Sequence, residues 1–414
     1  MFGSVPTTPK SLDDYRPIVG DDAVEEIRTL AEPLHGARVL HLNISAFGTG
    51  LAELLGSLVP LMDNVGLSAD WQVARSWEEF AQVSRAIYSA LFGFFVEWTP
   101  QMEETWLAYN AMNARHFDQD YDFIVVHDPQ PVALLKQITE NREERPAGKW
   151  IWHCHLDTAD AQPEVWDLLQ DFIAAYDAEV YLAEEHAKRR GAPGRIAIIR
   201  PAIDPLGPKN VDVSPSMQAG VLRRYRIDPK RPIICQISRF DAWNDPLGVI
   251  DAYKIAKQQV PELQLILVAS IISETQETWS YYERCARHAG EDEDIHLLSL
   301  LNGVGNTEMN VFQRAANVVI QKSVRKGFGM GIAEAFWKAK PVVAGRVGGF
   351  PIQVVDGVNG FLVDDAQECA ERVVFLLKHK RIAARMGQAG KDLVQQQHLI
   401  TRYLKDYIEL FRGL

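Results

Sequence analysis

The sequence is poor in cysteine and has too little positive charge to balance its acidic residues. Its 414 residues include four cysteines, Cys154, Cys235, Cys285 and Cys369, which are far apart and form no pair with metal-ligand spacing. We interpret Cys154 and Cys235, which lie in apolar strand-like runs, as small core residues. The formal net charge of −12 repels phosphate backbones and anionic lipids, so we expect no nucleic-acid partner and no membrane partner.

Long apolar runs are lacking as well. The most apolar stretch, SALFGFFVEW, is too short to cross a bilayer. The first residues, MFGSVPTTPKSLDDYRP, have neither the basic start nor the apolar core of a secretory signal. A small basic loop, AKRRGAPGR at residues 187–195, is most simply a solvated turn. These features favour a cytoplasmic location.

Strand and helix patterns alternate along the chain, which predicts an α/β fold with mainly parallel sheets. The first half contains the strand patterns ARVLHLNISA, YDFIVVHD, GKWIWHCHLD, AEVYLA and RIAIIRPAI. Residues 200–215 are rich in Pro, Asp and Gly, and we interpret them as an interdomain linker. The second half contains RPIICQISR, LQLILVAS, DIHLLSL, NVVIQKS, KPVVAG and GFLV. We expect two doubly wound Rossmann-like domains, residues 1–205 and 206–394, with a cleft between them. The amphipathic tail, residues 395–414, could pack back on the first domain or on the second.

Doubly wound sheets bind ligands at the carboxyl ends of their strands, where helix N-termini favour anions. A small, phosphorylated ligand in the cleft is therefore expected. FGTGLAELL directly follows the first strand pattern, and its Gly48 and Gly50 would let the backbone approach such a ligand closely. The third glycine of a dinucleotide fingerprint is missing, so a tight turn without a ligand fits the pattern equally well.

Two short motifs place a histidine and an aspartate at the ends of predicted strands. They are HDPQP, at residues 127–131, and WHCHLD, at residues 152–157. His155 and Asp157 could bind sugar hydroxyls or stabilise a developing positive charge, although a single histidine is more often structural. No third ligand is evident, which disfavours a metal site.

SRFDAWNDP follows the first strand pattern of the second half. Arg239 could bind a diphosphate with its planar guanidinium group. The same stretch fits a helix start, with Asn244 or Asp245 as the N-cap and Pro246 at the first helical position. Both interpretations can hold together.

KSVRKGFGMGIAEAFWKA combines a glycine-rich turn with a helix start. Gly327 and Gly329 permit close approach of the backbone, and amides at the helix start could bind phosphate oxygens. Glu334 lies about one and a half turns into the helix, where a carboxylate could accept hydrogen bonds from two ribose hydroxyls. An ordinary helix start with one acidic residue is the alternative.

These motifs together resemble the retaining glycosyltransferases of family 4, which have the GT-B fold. HLN, LAELLGSLVPLM, VHDPQP, CHLD, PAIDPLGPKN and SRFDAWNDPLGVI are similar, more narrowly, to the trehalose synthases that transfer glucose from a nucleotide sugar to free glucose. The likeness runs from about His41 to Leu414. It implies a nucleotide diphosphate-sugar as a substrate and no cofactor, with Mg²⁺ at most stimulatory and not bound by a recognisable motif.

The resemblance also implies roles for residues of this sequence. The donor-binding residues would be Gly48, Gly50, Ser238, Arg239, Gly327, Phe328, Gly329, Met330 and Glu334. The acceptor-binding residues would be Asp128, Gln130, His153, His155 and Asp157. The catalytic residues would be Arg239, Asn244, Lys326, His155 and Asp157. The leaving phosphate oxygen would help to take the acceptor proton, so a dedicated carboxylate pair is unnecessary. We also expect a homodimer; Trp98 and Trp106 could line a subunit contact, although core positions suit them better.

Four positions depart from the family pattern. Lys326 replaces the Glu before Gly-Phe-Gly, and Asn244 replaces a Lys that neutralises diphosphate. Thr49 interrupts a Gly-Gly-Gly turn, and His153 replaces an Arg before the cysteine. Lys326 could supply the charge that Asn244 lacks or could meet an anionic sugar. We favour an active enzyme with altered donor or acceptor use. The alternatives are a weakly active or inactive nucleotide-sugar-binding homologue and a trehalose phosphorylase-like enzyme.

Overall fold

The computed structural model describes residues 2–187, 195–269, 276–325 and 327–414, with residues 276–278 described as backbone only. Lys326 and most of the basic loop therefore lie outside the described residues. Contacts divide the chain into two compact units. Unit 1 comprises Met1–Pro201 and Ile400–Leu414, and unit 2 comprises Ala202–Leu399. The sequence pattern places the corresponding boundary after residue 205.

Unit 1 is built on a seven-stranded sheet with the order β1-β3-β2-β4-β5-β6-β7. Neighbouring strands pair in parallel, except that the short β1 is antiparallel to β3. The strands are β1 (Gly3–Ser4), β2 (Arg38–Asn43), β3 (Ser68–Val73), β4 (Phe123–His127), β5 (Lys149–His153), β6 (Ala178–Tyr181) and β7 (Arg195–Ile198).

Helices connect these strands and bury their apolar faces on the sheet. They are α1 (Arg16–Val19), α2 (Asp21–Ala31), α3 (Gly50–Asn64), α4 (Phe80–Leu91), α5 (Pro100–Ala114), α6 (Leu134–Arg142) and α7 (Pro163–Ile173). The core includes Cys154, as predicted, and Trp106 is fully buried, whereas Trp98 packs partly buried against the same core. Trp106 is therefore a core residue.

The C-terminal helix (Ile400–Arg412) belongs to unit 1 and packs on α2 and α3. Its buried positions follow the helical period, which gives it one continuous apolar face. They include Ile400, Tyr403, Leu404, Tyr407, Ile408 and Phe411. The amphipathic pattern that the sequence predicts is therefore explained by this packing, which buries one face of the helix.

Unit 2 is built on a six-stranded, fully parallel sheet with the order β10-β9-β8-β11-β12-β13. The strands are β8 (Ile233–Ser238), β9 (Gln264–Ala269), β10 (Ile295–Ser299), β11 (Val318–Gln321), β12 (Val342–Gly345) and β13 (Gly360–Val363). Their residues are largely buried, as expected for strands covered by helices on both faces. The predicted fold class, two doubly wound domains, is confirmed.

The helices of unit 2 are α8 (Pro215–Arg224), α9 (Pro246–Lys257), α10 (Gln276–Ala289), α11 (Asn306–Ala315), α12 (Met330–Trp337), α13 (Phe350–Gln353), α14 (Ala366–Lys378) and α15 (Lys380–Gln397). Asp245 is the N-cap of α9 and accepts a hydrogen bond from the Gly248 amide, with Pro246 at the first helical position. The predicted cap is thereby confirmed. None of the described helices combines the length and the apolar character that a membrane span requires.

The segment that the sequence suggests as a linker is largely packed on unit 2. Asn310, fully buried on α11, donates through its side-chain amide to the carbonyls of Pro208 and Val211, at 3.1 and 2.8 Å. Arg314, one turn later, donates to the Asn210 carbonyl at 2.8 Å. These bonds satisfy backbone groups of an irregular segment that would otherwise be unpaired, which fixes the segment in place.

Candidate functional site

The glycine turn after β2 is built around the start of α3. Gly48 has a φ of 74°, in the left-handed region that favours glycine, and Gly50 is the first helical residue. Between them, Thr49 is the N-cap, and its Oγ1 accepts a hydrogen bond from the Ala52 amide at 3.0 Å. One of the first amides of the helix is therefore satisfied by the Thr49 side chain.

Four histidines of unit 1, His41, His127, His153 and His155, form a contiguous group that we call the histidine cluster. His127 bridges two of them: its Nε2 lies 2.9 Å from His41 Nδ1, and its Nδ1 lies 2.9 Å from His155 Nε2. The His153 and His155 rings stack with their centroids 3.9 Å apart, and His153 Nδ1 lies 2.6 Å from the Tyr407 hydroxyl. No local sequence pattern connects His41 or Tyr407 to this group.

Burial keeps the histidine cluster neutral. Removal from water lowers the pKa of His41 and of His155 to about 3. It also lowers the pKa values of His127 and His153 well below the ordinary value, and repulsion from the neighbouring rings adds to the effect. Each ring therefore carries a single proton at neutral pH, and one nitrogen of each ring is an acceptor.

Asp128 and Gln130 are both buried in the turn after β4. Asp128 has a φ of 69°, and burial raises the pKa of its carboxyl group to about 6, against a hydrogen bond with Tyr88 that lowers it. Gln130 donates through its side chain to Ser84 Oγ at 3.0 Å, and its carbonyl accepts from the Trp106 indole at 2.8 Å. Gln130 thus supports the turn, and the acceptor-binding roles of both residues stay predictions.

Asp157 lies beyond β5 and is held by two contacts. Its Oδ1 lies 3.2 Å from Nε2 of the buried His186 and accepts from the Ala159 amide at 3.0 Å. The Asp157 side chain is 20% exposed. The carboxylate is therefore fixed in position and still accessible to a small ligand.

In unit 2, Arg239 follows the carboxyl end of β8, whose last residue is the buried Ser238. The Arg239 side chain is 47% exposed, and its Nε lies 3.3 Å from Asp241 Oδ2. Its guanidinium carbon lies 5.7 Å from the ring centroid of Trp243. An acid and an aromatic ring thus orient a planar cation that remains open to solvent.

Asn244 is fully buried and contacts the same acid. Its backbone amide and its side-chain amide both donate to Asp241 Oδ1, at 2.9 and 2.7 Å. The Asn244 carbonyl accepts from Gln236 Nε2 at 2.9 Å. Asn244 therefore holds the carboxylate of Asp241, which in turn pairs with Arg239. The predicted catalytic role of Asn244 stays a prediction.

Lys322, directly after β11, is a cation to which none of the sequence motifs points. It is buried, and its Nζ forms an ion pair with Asp245, the N-cap of α9. Gly248 leaves room for this pair, because a Cβ at that position would lie 2.8 Å from Lys322 Nζ. A lysine directly after a buried strand pattern is the sequence signal that could have identified it.

The turn Gly327–Met330 leads from β11 into α12. Gly329 has a φ of 77° and is the N-cap of the helix, and a Cβ there would collide with a neighbouring aromatic ring. Phe328 is buried beneath the turn. Because β8 and β11 are adjacent parallel strands, this turn and Arg239 leave the sheet at the same edge.

Glu334 is buried in the second turn of α12 and is 7% exposed. One turn later, Lys338 donates through Nζ to the Glu334 carbonyl at 3.0 Å and to Asn210 Oδ1 at 3.1 Å. Burial lowers the pKa of Lys338 to about 7, although attraction to the Glu334 carboxylate opposes the change. The predicted ribose contact of Glu334 stays a prediction.

The predicted residues thus fall into two groups, one in each unit. In unit 1, the Gly48 turn, Asp128 and His155 follow β2, β4 and β5, which are neighbours in the sheet. In unit 2, Arg239 and the glycine turn follow β8 and β11. Lys326 lies outside the described residues and is not assigned to a group.

Each unit thus has a mainly parallel sheet covered by helices, with candidate residues at the carboxyl ends of its strands. Solved structures show which fold class this arrangement belongs to. A solved trehalose-6-phosphate synthase, OtsA, matches with a TM-score of 0.72 at 12% identity, over 91% of this chain and 99% of that one. Anabaena HepE, solved in complex with UDP and glucose, matches with a TM-score of 0.64 at 15% identity, over 91% of this chain and 100% of that one. The fold is that of the GT-B glycosyltransferases.

The sequence comparisons identify the family. Residues 41–188 match the model of the trehalose synthase N-terminal domain, and residues 221–393 match that of the group 1 glycosyl transferases. The trehalose synthase of Thermococcus litoralis is 41% identical over 406 residues, which are 98% of this chain and 97% of that protein. The chain belongs to the trehalose synthase family and is an enzyme, a glycosyltransferase. The predicted family and the predicted enzymatic nature are confirmed.

Proposed function

We propose that the protein transfers a hexosyl group, with glucose favoured, from a nucleotide diphosphate-sugar to a sugar acceptor, with retention of the anomeric configuration. Trehalose, formed from glucose as the acceptor, is the favoured product. The family supports the reaction class. The observation that carries the proposal is that the half-exposed Arg239 and the amides at the start of α12 leave adjacent strands. Both favour the negative charge that develops on a leaving diphosphate.

In the proposed reaction, an acceptor hydroxyl attacks the anomeric carbon from the face that the diphosphate leaves. The bond between that carbon and the phosphate oxygen breaks, and its electron pair goes to the oxygen. The same oxygen then takes the acceptor proton. Arg239 and the amides of Gly327–Met330 stabilise the departing charge, while Glu334 accepts hydrogen bonds from the ribose hydroxyls.

The residues of unit 1 would bind the transferred sugar and the acceptor. Asp157 is fixed but accessible, so its carboxylate can accept a hydrogen bond from a sugar hydroxyl. His155 is half-buried and neutral, and its Nε2 contacts His127, so its Nδ1 would accept a hydrogen bond from a sugar hydroxyl. Gly48 and Gly50 would allow the donor to approach the start of α3.

We further propose that the altered positions leave the enzyme active. Asn244 holds Asp241, and Asp241 holds Arg239, so the cation is preorganised without a lysine at position 244. Lys326 would supply the additional positive charge. The double change Lys326→Glu with Asn244→Lys is expected to lower transfer about 10²-fold, because it removes that charge and buries an ammonium group where an amide now binds. A rise by orders of magnitude would instead show that the natural site is impaired.

The direct test is to incubate the protein with UDP-, ADP- or GDP-glucose plus glucose and to analyse the products. We expect a nonreducing disaccharide at ordinary enzymatic rates with at least one donor. A thermal shift with a nucleotide sugar but no product would support the inactive binder, and phosphate-dependent cleavage of trehalose would support the phosphorylase. Either result in place of transfer would contradict the proposal.

A further inference from the structure

Three members of the histidine cluster converge on one point in unit 1. His127, His153 and His155 each contribute one ring nitrogen, and these three nitrogens lie within 4.8 Å of one another. His127 and His153 are register partners at the ends of the adjacent strands β4 and β5, and His155 follows shortly after. The backbone of the sheet therefore holds the group together. From the sequence, the third ligand of such a group is not evident.

His153 supplies the observation that points to a ligand. Its Nδ1 is engaged with the Tyr407 hydroxyl at 2.6 Å. Its Nε2 is buried and has no hydrogen-bond partner among the described residues, and the whole residue is 0% exposed. Leaving a polar atom buried and unsatisfied costs on the order of 1–3 kcal/mol, so such atoms call for an explanation.

The contacts of His41 determine where the protons lie on His127. His41 Nε2 faces Met62 Sδ at 3.4 Å, and a thioether can only accept, so His41 carries its proton on Nε2. Its Nδ1 must then accept from His127 Nε2, which leaves His127 Nδ1 without a proton. In the metal-free cluster this Nδ1 accepts from His155 Nε2 at 2.9 Å, and a bound metal would replace that hydrogen bond. Metal-binding histidines show this arrangement, in which one nitrogen donates to a fixed acceptor and the other offers its lone pair to the metal.

We propose that His127, His153 and His155 bind a divalent transition-metal ion, Zn²⁺ in preference, through His127 Nδ1, His153 Nε2 and one nitrogen of His155. At Zn–N distances of about 2.0–2.1 Å, tetrahedral ligand nitrogens lie roughly 3.3 Å apart. The required adjustment falls on His155, which is half-buried and would exchange its contact with His127 Nδ1 for the metal. Three imidazole ligands leave the fourth position open to water or to a ligand oxygen.

The test uses the full-length protein and the metal alone. Protein stripped with EDTA and desalted is titrated with Zn²⁺ in competition with a chromophoric chelator, and one equivalent is expected to bind. His155→Ala and His153→Gln are expected to weaken binding 10-fold or more, whereas His116→Ala, which changes an exposed histidine of the same unit, should bind as the natural protein does. Co²⁺ bound to the natural protein should show the intense visible bands of a four-coordinate site, a readout that needs no variant.

Three results would overturn the proposal. They are no stoichiometric Zn²⁺ binding by the natural protein, a six-coordinate Co²⁺ spectrum, and undiminished binding by His155→Ala with an unchanged circular dichroism spectrum. Because His155 is half-buried, this variant is the one expected to fold normally. The assays contain no nucleotide sugar, so their failure leaves the proposed transferase activity unaffected, and a failure of transfer leaves the metal site unaffected.

Discussion

Arg239 shows how single residues shape the proposed donor site. The arginine is open to solvent but paired with Asp241, and Asp241 is held by two hydrogen bonds from the buried Asn244. A cation that is already positioned needs no reorganisation when charge develops on a leaving group. Residues 239, 241 and 244 should therefore act as one unit, and their substitutions should not have additive effects.

Replacing this cation tests the unit most directly. Arg239→Gln is expected to lower kcat about 10²–10³-fold, or about 2.7–4 kcal/mol, because a preorganised donor to the leaving group is lost. Steady-state kinetics with the best nucleotide sugar measure the effect. Arg287→Gln is the matched control, since Arg287 also pairs with an acid but lies exposed on α10. Equal effects of the two changes would exclude the assigned role.

Lys338 gives unit 2 a predictable dependence on pH. Its pKa in the folded protein is about 7, below the ordinary value of 10.5, because the amine is buried. Between pH 7 and pH 10.5 the unfolded chain binds more protons at this lysine than the folded protein does, so the free energy of unfolding rises with pH in that range. The lysine disfavours folding most below pH 7. Glu334 opposes the shift, while Arg314 and Lys209 strengthen it.

Lys338→Met should remove this dependence. Relative to the natural protein, the variant is expected to be most favoured at and below pH 7, and above pH 7 to lose about 1.4 kcal/mol of that advantage per pH unit up to about pH 9.5. Urea unfolding at several pH values measures the difference. Lys380→Met, at an exposed position of the same unit, is the matched control. A pH-independent difference between Lys338→Met and the natural protein would show that the buried amine is not the cause.

At the scale of single residues, the sequence identifies those whose partners are close in the chain. The Asp245 cap with Pro246 was predicted because its signal lies within a few residues. The pair Lys322–Asp245 and the contact of His153 with Tyr407 were not predicted, because their partners are far apart in the chain. Only the folded sheet and the returning C-terminal helix bring such side chains together.

At the scale of the secondary-structure element, the start of α3 combines a stabilising cap with a proposed binding role. Thr49 caps the helix and occupies the Ala52 amide, an amide that could otherwise bind an anion. A glycine at this position would release the amide while costing only a few tenths of a kcal/mol as a cap. If the turn binds the donor as proposed, Thr49 therefore gives the helix a side-chain cap at the expense of one anion-binding amide.

Thr49→Gly is expected to lower the KM for the nucleotide sugar several-fold, with a melting temperature within a few degrees of that of the natural protein. Kinetics and thermal unfolding measure the two effects. Thr99→Gly offers a matched control, because Thr99 caps α5 in the same way through the Met102 amide. It should match Thr49→Gly in stability and leave KM unchanged. An unchanged KM in Thr49→Gly would indicate that the turn does not contact the donor.

The strands could be predicted from the sequence where successive residues are all buried. Strands such as β4, β8 and β9 have apolar runs that follow from burial on both faces, and the sequence patterns found them. β3 was not predicted, because its sequence SADWQV is mostly accessible near the sheet edge and includes polar residues. Its pairing with β2 depends on the finished sheet rather than on its own pattern.

At the scale of the whole molecule, the chain passes from unit 1 to unit 2 after Pro201 and returns after Leu399. Unit 2 is thus continuous in sequence, whereas unit 1 is completed by the last helix. The predicted linker composition at residues 200–215 did not reveal that Asn310 and Arg314 fasten much of this segment to unit 2. The expected homodimer stays a prediction.

This connectivity predicts that the two units differ as isolated fragments. Residues 202–399 should fold cooperatively alone, because their strands and core lie within one continuous stretch. Residues 1–201 should not, since removing the C-terminal helix exposes the surface that buries Tyr403, Tyr407 and Phe411, and each such side chain contributes roughly 1.5–3 kcal/mol. That sum rivals the total stability of a domain, about 5–15 kcal/mol.

Near-ultraviolet circular dichroism and urea unfolding of three fragments provide the measurement. We expect cooperative transitions for residues 202–399 and for residues 1–201 joined by a flexible linker to residues 400–414, and none for residues 1–201 alone. A sharp transition of residues 1–201 alone would mean that the C-terminal helix is dispensable.

Phe411, which stacks on Phe123 of β4 with ring centroids 4.4 Å apart, offers a finer test within the full chain. Phe411→Ala should cost about 3–5 kcal/mol, because a helix that completes a core leaves a cavity when its aromatic side chain is removed.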